Sequence, residues 1–147
     1  MRLTAFTDYS LRVLMYMATA PDGRATIGEI ARAFRISENH LVKVVHRLGQ
    51  IGVLVNTRGR GGGLRLAASP AAISLGRVVR ETETQDVPAE CFEPHANGCV
   101  IASACSLRNV LKEAVDAFYA SLDRYTVADL VRKPSPVILN LHHPVPA

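Results

Sequence analysis

The 147-residue sequence lacks several features that define large protein classes. No apolar run approaches the roughly 18 residues that a membrane-spanning helix needs, and the chain reaches Asp8 without the apolar stretch of a signal peptide. A hydrophobic content of 48% supports a core and excludes a disordered or collagen-like chain. We therefore expect a cytoplasmic, soluble protein with one domain, or with one small domain and an appendage.

Cysteine is scarce, and the three cysteines of the chain lie close together in the sequence, at Cys91, Cys99 and Cys105. An odd number in one short segment does not suit a secreted disulfide framework and indicates metal or redox chemistry. The close Cys-x-x-Cys pairs of most zinc sites are absent, whereas widely spaced thiolates suit an iron-sulfur cluster. A closed cluster needs a fourth ligand, either a non-thiolate residue or an exogenous group. The local candidates are His95, Glu90 and Glu93.

The net charge of +4 is the sum of two unlike halves. Residues 1–80 have 12 Lys and Arg against 4 Asp and Glu, a net of +8, while residues 81–147 have 5 against 9, a net of −4. An asymmetry of this size predicts that the first half binds a polyanion and that the second half has another role.

Side chains that can cap helices predict where the helices begin. The first helix is predicted to follow Thr7, with Asp8 in its first turn, where a carboxylate favours the helix dipole. Its predicted buried stripe is Leu11, Leu14, Met15 and Ala18. The later predicted caps are Thr26, which forms a capping box with Glu29, and then Ser37, Ser74 and Thr126. The two short helices after Thr26 and Ser37, joined by a tight turn, are typical of a helix-turn-helix.

The second helix of this pair has a predicted inner face of Leu41, Val44, Val45 and Leu48. Its opposite face exposes polar and cationic side chains of the kind that contact base edges and phosphates. A β-hairpin is predicted next, with strands at 53–55 and 64–66 and a basic, glycine-rich tip that can lie along phosphates or enter a minor groove. The tip lacks the Lys-Ser/Thr ending of a P-loop. The predicted DNA-binding residues are Thr26, Ser37, Asn39, His40, Lys43, His46, Arg47, Arg58 and Arg60.

A long helix is predicted from Ser106, with one apolar stripe along it. The stripe consists of Leu107, Val110, Leu111, Ala114, Phe118 and Leu122. No other predicted element is long enough to cover the stripe, so we expect pairing with a second copy; the alternative is packing on the chain's own winged domain. A two-fold dimer would present two recognition helices to a pseudo-palindromic DNA site.

These elements predict a mainly α fold with a small β-hairpin wing. Residues 1–80 form a winged helix-turn-helix DNA-binding domain and residues 81–105 a cluster-binding loop. Residues 106–132 form the dimerisation helix and a short terminal helix, and residues 133–147 are a loosely ordered tail. No Ser/His/Asp or paired-carboxylate arrangement stands out, which argues against an iron-sulfur enzyme or electron carrier. We therefore expect that the protein is not an enzyme.

Several motifs together resemble the Rrf-two family of bacterial regulators over residues 1 to about 132, and within it the nitric-oxide-sensing repressors. They are residues 1–4 and 6–9, the helix 39–45, the wing 58–66, the segments 73–76 and 125–130, and the three cysteines. The resemblance implies a homodimer with one cluster per subunit that binds an inverted-repeat operator. It also implies that nitrosylation releases the DNA and derepresses nitric oxide detoxification genes.

The resemblance also supplies a candidate for the missing ligand. It implies that Asp8, contributed by the other subunit, is the oxygen ligand of a [4Fe–4S] cluster; a [2Fe–2S] cluster is the alternative. Related members that use a histidine three residues after the last cysteine differ from this chain, which has Arg108 there. Iron-responsive members have Asn rather than Asp at the position of Asp8, but they share the cysteine arrangement. Because of this shared arrangement, an iron or redox signal stays open. A structural zinc ion bound by the three cysteines and His95 is a further alternative.

Overall fold

The fold is mainly helical, with one β-hairpin, as the sequence predicts. The computed structural model describes residues 3–57, 59, 62–83, 89, 92, 99–101, 104–133 and 140–142. The helices are α1 (Ala5–Thr19), α2 (Ile27–Phe34), α3 (Glu38–Gln50), α4 (Leu75–Thr82), α5 (Ser106–Asp123) and α6 (Val127–Val131), and single 3-10 turns lie at Pro70–Ala72 and Asn140–His142. Strands β1 (Leu54–Thr57) and β2 (Gly63–Leu66) pair antiparallel. In these described ranges, no helix combines the length and the apolar character needed to cross a membrane.

The hydrophobic core lies where α1, α2, α3, α4, α6 and the hairpin meet. The apolar stripe predicted for α3 is confirmed, since its four members are all buried. The stripe predicted for α1 is only partly correct, because Leu14 is fully buried while Leu11, Met15 and Ala18 stay half-buried. Several elements pack around α1, so it has a wider buried face than one helical stripe. The α3 stripe consists of Leu41, Val44, Val45 and Leu48.

The first helix begins three residues earlier than the sequence predicts. Its N-cap is Thr4, whose Oγ1 accepts a hydrogen bond from the Thr7 backbone N–H at 3.2 Å. Thr7 lies inside the helix and is fully buried. Its hydroxyl donates to Thr82 Oγ1 in α4 at 2.9 Å, so the side chain joins two helices instead of capping one.

The other predicted N-cap positions are confirmed at Thr26, Ser37, Ser74 and Thr126, although the Ser37 side chain makes no capping hydrogen bond. At α2 the Glu29 carboxylate accepts from the Thr26 backbone N–H at 2.6 Å and from its hydroxyl at 2.9 Å, while the Thr26 hydroxyl accepts from the Glu29 N–H at 3.3 Å. These hydrogen bonds, with the backbone bond the strongest, hold the pKa of Glu29 below its ordinary value.

Replacement of Thr26 by alanine is expected to lower the free energy of unfolding by about 1 kcal/mol at neutral pH. A carboxylate with a lowered folded pKa contributes stability above its unfolded pKa, about 4.3 for glutamate, and loses it as the pH falls through the folded pKa. The difference between wild type and Thr26→Ala should therefore shrink between neutral pH and pH values below about 4. Urea denaturation across this range measures it. Thr26→Ser keeps the hydroxyl and should match wild type, and an alanine effect that does not change with pH would contradict the argument.

The wing is attached to the turn between α1 and α2. Leu64 N–H donates to Ala25 O at 2.8 Å, and Ala25 N–H donates to Leu64 O at 3.2 Å. Ala25 thus forms an antiparallel bridge to β2, outside the two strands of the hairpin. Gly63 begins β2 with φ of +148°, and a Cβ there would lie 2.9 Å from Ala25 O. Glycine is therefore required by both backbone conformation and space.

Replacement of Gly63 by alanine is expected to lower the free energy of unfolding by about 1–3 kcal/mol, because the new methyl group meets a backbone oxygen at a strained φ. Chemical denaturation measures the change. Gly49→Ala is the matched control, since Gly49 is exposed in α3 with a nearest contact of 4.0 Å. That substitution should be neutral or stabilising by about 0.5–1 kcal/mol. Equal effects at both positions would refute the steric explanation.

The long helix α5 is attached to α4 near its C-terminal end. Arg80 donates from both terminal nitrogens to the two carboxylate oxygens of Asp123 at 2.6 Å each, and its guanidinium lies 4.6 Å from the Tyr119 ring centroid. The N-terminal part of the same helix is uncovered, with Leu107 and Val110 each 61% exposed. The predicted stripe is thus divided into a packed end and an open end.

The turn at Asn140–His142 lies against α1. His142 Nε2 is 2.8 Å from Thr19 Oγ1, and its ring centroid is 4.2 Å from that of Tyr16. Leu141 packs on the core. This part of the segment 133–147 is therefore in contact with the winged domain.

Candidate functional site

The solvent face of α3 presents the polar side chains that the sequence predicts for DNA contact. These side chains are exposed on the side opposite the buried stripe, so a groove of DNA could reach them. The His40 ring lies 6.4 Å from the Tyr9 ring, centroid to centroid, which places the start of α3 beside α1. Thr26 is also exposed, but its hydroxyl belongs to the capping box of α2. The exposed set on α3 and its cap is Ser37, Asn39, His40, Lys43 and His46.

Arg47 differs from the other predicted DNA contacts. It is half-buried in the last turn of α3, and its guanidinium binds Glu81 in α4. Arg47 Nε donates to the Glu81 backbone oxygen at 3.0 Å, and Nη2 donates to Glu81 Oε2 at 2.8 Å. The structure therefore places this arginine between two helices.

The tip of the wing turns at glycines. Gly59 has φ of +103°, and Gly62 N–H donates to Gly59 O at 2.9 Å. Arg58 and Arg60, the predicted wing contacts, lie outside the described residues. Arg65 was not predicted, yet it is exposed on β2 beside buried Leu64. Strand alternation alone could have identified it as an outward cation of the wing.

Two of the three predicted thiolate ligands lie within the described residues. Cys99 and Cys105 are free, half-buried thiols, and Cys105 is the N-cap residue of α5. The Arg108 guanidinium in the first turn of α5 lies 6.0 Å from the ring centroid of Phe92. Cys91 lies outside the described residues, as do Glu90, Glu93 and His95. Soft thiols of this kind suit iron or zinc.

The predicted oxygen ligand lies on the exposed side of α1. Asp8 accepts hydrogen bonds from Arg12 Nε at 3.1 Å and Nη2 at 2.8 Å, and its side chain is 45% exposed. Within the described ranges, no group of three or more His, Cys, Asp or Glu side chains could hold a metal ion. A half-exposed carboxylate is available to a second chain, and its pairing with Arg12 is a surface ion pair of about 0–1 kcal/mol.

A family model described as an iron-dependent transcriptional regulator, Rrf2, matches residues 3–133. The chain belongs to the Rrf2 family. An HTH-type transcriptional regulator NsrR of Bacillus subtilis is 50% identical over 133 residues, which cover 90% of this chain and 91% of the relative. The NsrR regulator of Geobacillus kaustophilus is 49% identical over 132 residues, which cover 89% of this chain and 90% of the relative.

Solved structures share the fold of this Rrf2 chain. CymR, the global cysteine regulator of B. subtilis, matches with a TM-score of 0.71 at 24% identity, over 92% of this chain and 99% of that one. IscR of T. potens matches with a TM-score of 0.73 at 20% identity, over 92% of this chain and 89% of that one. At these identities the likeness concerns the fold.

Proposed function

We propose that this Rrf2 protein is a DNA-binding repressor that senses nitric oxide through an iron-sulfur cluster. Nitrosylation would release the operator and derepress genes of nitric oxide detoxification. The observation that carries the DNA-binding part is the exposed polar and cationic face of α3, set on a buried stripe within a helix-turn-helix. Relatives at 42–50% identity are NsrR transcriptional regulators, which supports the choice within the family.

The proposed DNA interface combines α3 with the wing. Asn39 would contact bases from the N-terminal turn of the recognition helix, while Lys43 and the wing arginines Arg58 and Arg60 neutralise phosphates. Ser37, His40 and His46 add hydrogen bonds from the same face. Because most of these cations contact the backbone, we expect affinity to fall steeply with salt.

The proposed cluster ligands are Cys91, Cys99 and Cys105 of one subunit and Asp8 of the partner subunit, with His95 as the alternative fourth ligand. When bound, a [4Fe–4S] cluster supplies iron atoms that react with nitric oxide, and a [2Fe–2S] cluster would do the same. An oxygen ligand is harder than a thiolate and exchanges more readily, so Asp8 would leave one iron more accessible. Its surface position on α1 makes the carboxylate reachable from a second chain.

The proposed homodimer forms through the uncovered end of α5. Leu107 and Val110 are exposed there, and Val100 and Ile101 before the helix are 96% and 60% exposed. Contiguous exposed apolar residues mark association sites. A two-fold pair of chains would place two α3 helices on an inverted repeat.

The experiment that tests the proposal uses protein purified without oxygen. Its visible spectrum and its iron and sulfide content reveal a cluster, and selection from a random duplex library with the loaded protein yields a DNA probe. Nitric oxide should bleach the cluster and lower affinity for the selected probe at least tenfold. Cluster-loaded protein that keeps its DNA affinity after nitric oxide would contradict the sensing proposal. Colourless protein with bound zinc would support the zinc alternative.

An iron or redox signal is the second candidate, because the matching family model is described as iron-dependent. Iron chelation and nitric oxide can be compared on the same loaded protein. If a chelator that lowers free iron to micromolar levels releases DNA faster than stoichiometric nitric oxide does, iron is the favoured signal. The reverse order favours nitric oxide.

A further inference from the structure

The C-terminal turn of α4 contacts three other helices through consecutive residues. It bonds to α5, to the recognition helix α3 and to the start of α1. Beyond this turn the chain continues toward the three cysteines. The pairs are Arg80 with Asp123, Glu81 with Arg47, Thr82 with Thr7, and Glu83 with Thr4.

The contact with α3 has a fixed geometry. The Arg47 guanidinium binds both the backbone oxygen and the carboxylate of Glu81, at 3.0 and 2.8 Å. A planar guanidinium that donates to two acceptors of one residue fixes both distance and orientation. The side chains are 33% and 44% exposed, so the pair adds little stability, and its main effect is geometric.

A second arginine holds the same end of α3. Arg77 Nη2 in α4 donates to the backbone oxygen of Ile51, the C-cap of α3, at 2.8 Å. The recognition helix is therefore attached to α4 at its C-terminal end, while its N-terminal turns face solvent. A small rotation of α4 would change the angle at which those turns enter a DNA groove.

The attachment to α1 is polar, and its Thr7–Thr82 part is buried. The Thr7 hydroxyl donates to Thr82 at 2.9 Å, and Thr82 donates to the Val78 backbone oxygen at 2.9 Å. Glu83 Oε1 accepts from the Thr4 N–H at 2.6 Å and from the Thr4 hydroxyl at 3.1 Å. The helix that contains Asp8 is thus bonded to the C-terminal turn of α4 and its C-cap residue Glu83, after which the sequence leads to the cysteines.

We propose that Glu81 is a positioning residue for the recognition helix, and that Arg47 acts through Glu81 instead of contacting DNA. The pair transmits the state of the cysteine segment to the angle of α3. This inference rests on the proposed function, because it assigns a route between the proposed sensor and the proposed DNA interface.

The inference is tested by fluorescence anisotropy with the duplex that the wild type selects. The variants are Glu81→Gln, Arg47→Gln and the double variant. A scrambled duplex and a salt series accompany each measurement, with loaded and cluster-free protein. Glu113→Gln, on the exposed side of α5, is the control for the charge change. Thermal melts should agree within a few degrees, because the Arg47–Glu81 pair is partly exposed.

Each single variant should lower the preference for the selected over the scrambled duplex about tenfold, and the double variant should lower it no further. The affinity difference between loaded and cluster-free protein should shrink in the same variants, while the salt slope stays unchanged. A DNA contact by Arg47 gives the opposite pattern: the salt slope of Arg47→Gln falls by about one, and Glu81→Gln binds more tightly. That pattern, or an unchanged preference in Glu81→Gln, would overturn the inference alone. A wild type that selects no duplex would overturn the proposed function as well.

Discussion

Replacement of Val110 by aspartate is expected to convert the proposed dimer to a monomer. Val110 is 61% exposed at the uncovered end of α5, so the change should leave the fold of one chain intact. In a dimer the new carboxylate would lie in an apolar interface next to its symmetry copy, which costs several kcal/mol. Sedimentation equilibrium measures the change. Affinity for the selected inverted-repeat duplex should fall about 100-fold or more, because the two half-sites are no longer bound jointly.

Lys112→Asp is the matched control. Lys112 lies on the opposite side of α5, is exposed, and forms an ion pair with Asp116 one turn later. The variant introduces the same carboxylate outside the apolar stripe and should remain dimeric, with a small loss of helix stability. A dimeric Val110→Asp protein with normal DNA affinity would show that chains associate through another surface.

The elements that the sequence predicts correctly depend on residues close together in the chain. The capping box of α2 involves Thr26 and Glu29, and the buried stripe of α3 repeats within one helix. Periodicity and capping rules describe such short-range interactions, so they predict where these helices begin and which face they bury. The antiparallel hairpin belongs to the same class, although its strands lie at 54–57 and 63–66 and not at the predicted bounds.

The features that the sequence does not reveal depend on partners far along the chain. Thr7 is predicted as a helix cap, but its hydroxyl donates a hydrogen bond to Thr82, 75 positions later. Arg47 is a predicted DNA contact, and the structure adds that Glu81, 34 positions later, binds its guanidinium. Both contacts arise from the packing of α4 against α1 and α3, which local patterns in the sequence do not describe.

The apolar stripe of α5 shows which part of the candidate site the sequence predicts and which part only the structure reveals. Its spacing predicts one continuous apolar face, but the structure separates it into a part near Asp123 that packs against α4 and a part near Leu107 that stays open. The open part lies directly after Cys105. Association of two chains there would therefore bring the proposed cluster ligands close to the subunit interface, where Asp8 of the partner subunit is proposed to contribute.

Replacement of Cys105 by serine is expected to abolish cluster binding, with iron and sulfide content and visible absorbance reduced at least tenfold. A hydroxyl is a poor substitute for a thiolate, because iron in such clusters prefers soft sulfur ligands. The substitution should keep the fold, since Cys105 is the N-cap of α5 and serine is a favoured N-cap residue. Far-ultraviolet circular dichroism and the melting temperature check this. DNA binding should equal that of cluster-free wild type and should not respond to nitric oxide.

Asp8→Ala separates the thiolate ligands from the proposed oxygen ligand. With three thiolates intact, this variant should bind a cluster that is lost faster on dilution or chelation, because one iron has exchangeable solvent in place of a carboxylate. The Arg12 partner of Asp8 is lost as well, but a half-exposed ion pair contributes at most about 1 kcal/mol, too little to unfold the protein. A Cys105→Ser protein that retains a full cluster would remove Cys105 from the ligand set. An Asp8→Ala cluster as durable as that of wild type would direct the search for the fourth ligand to His95.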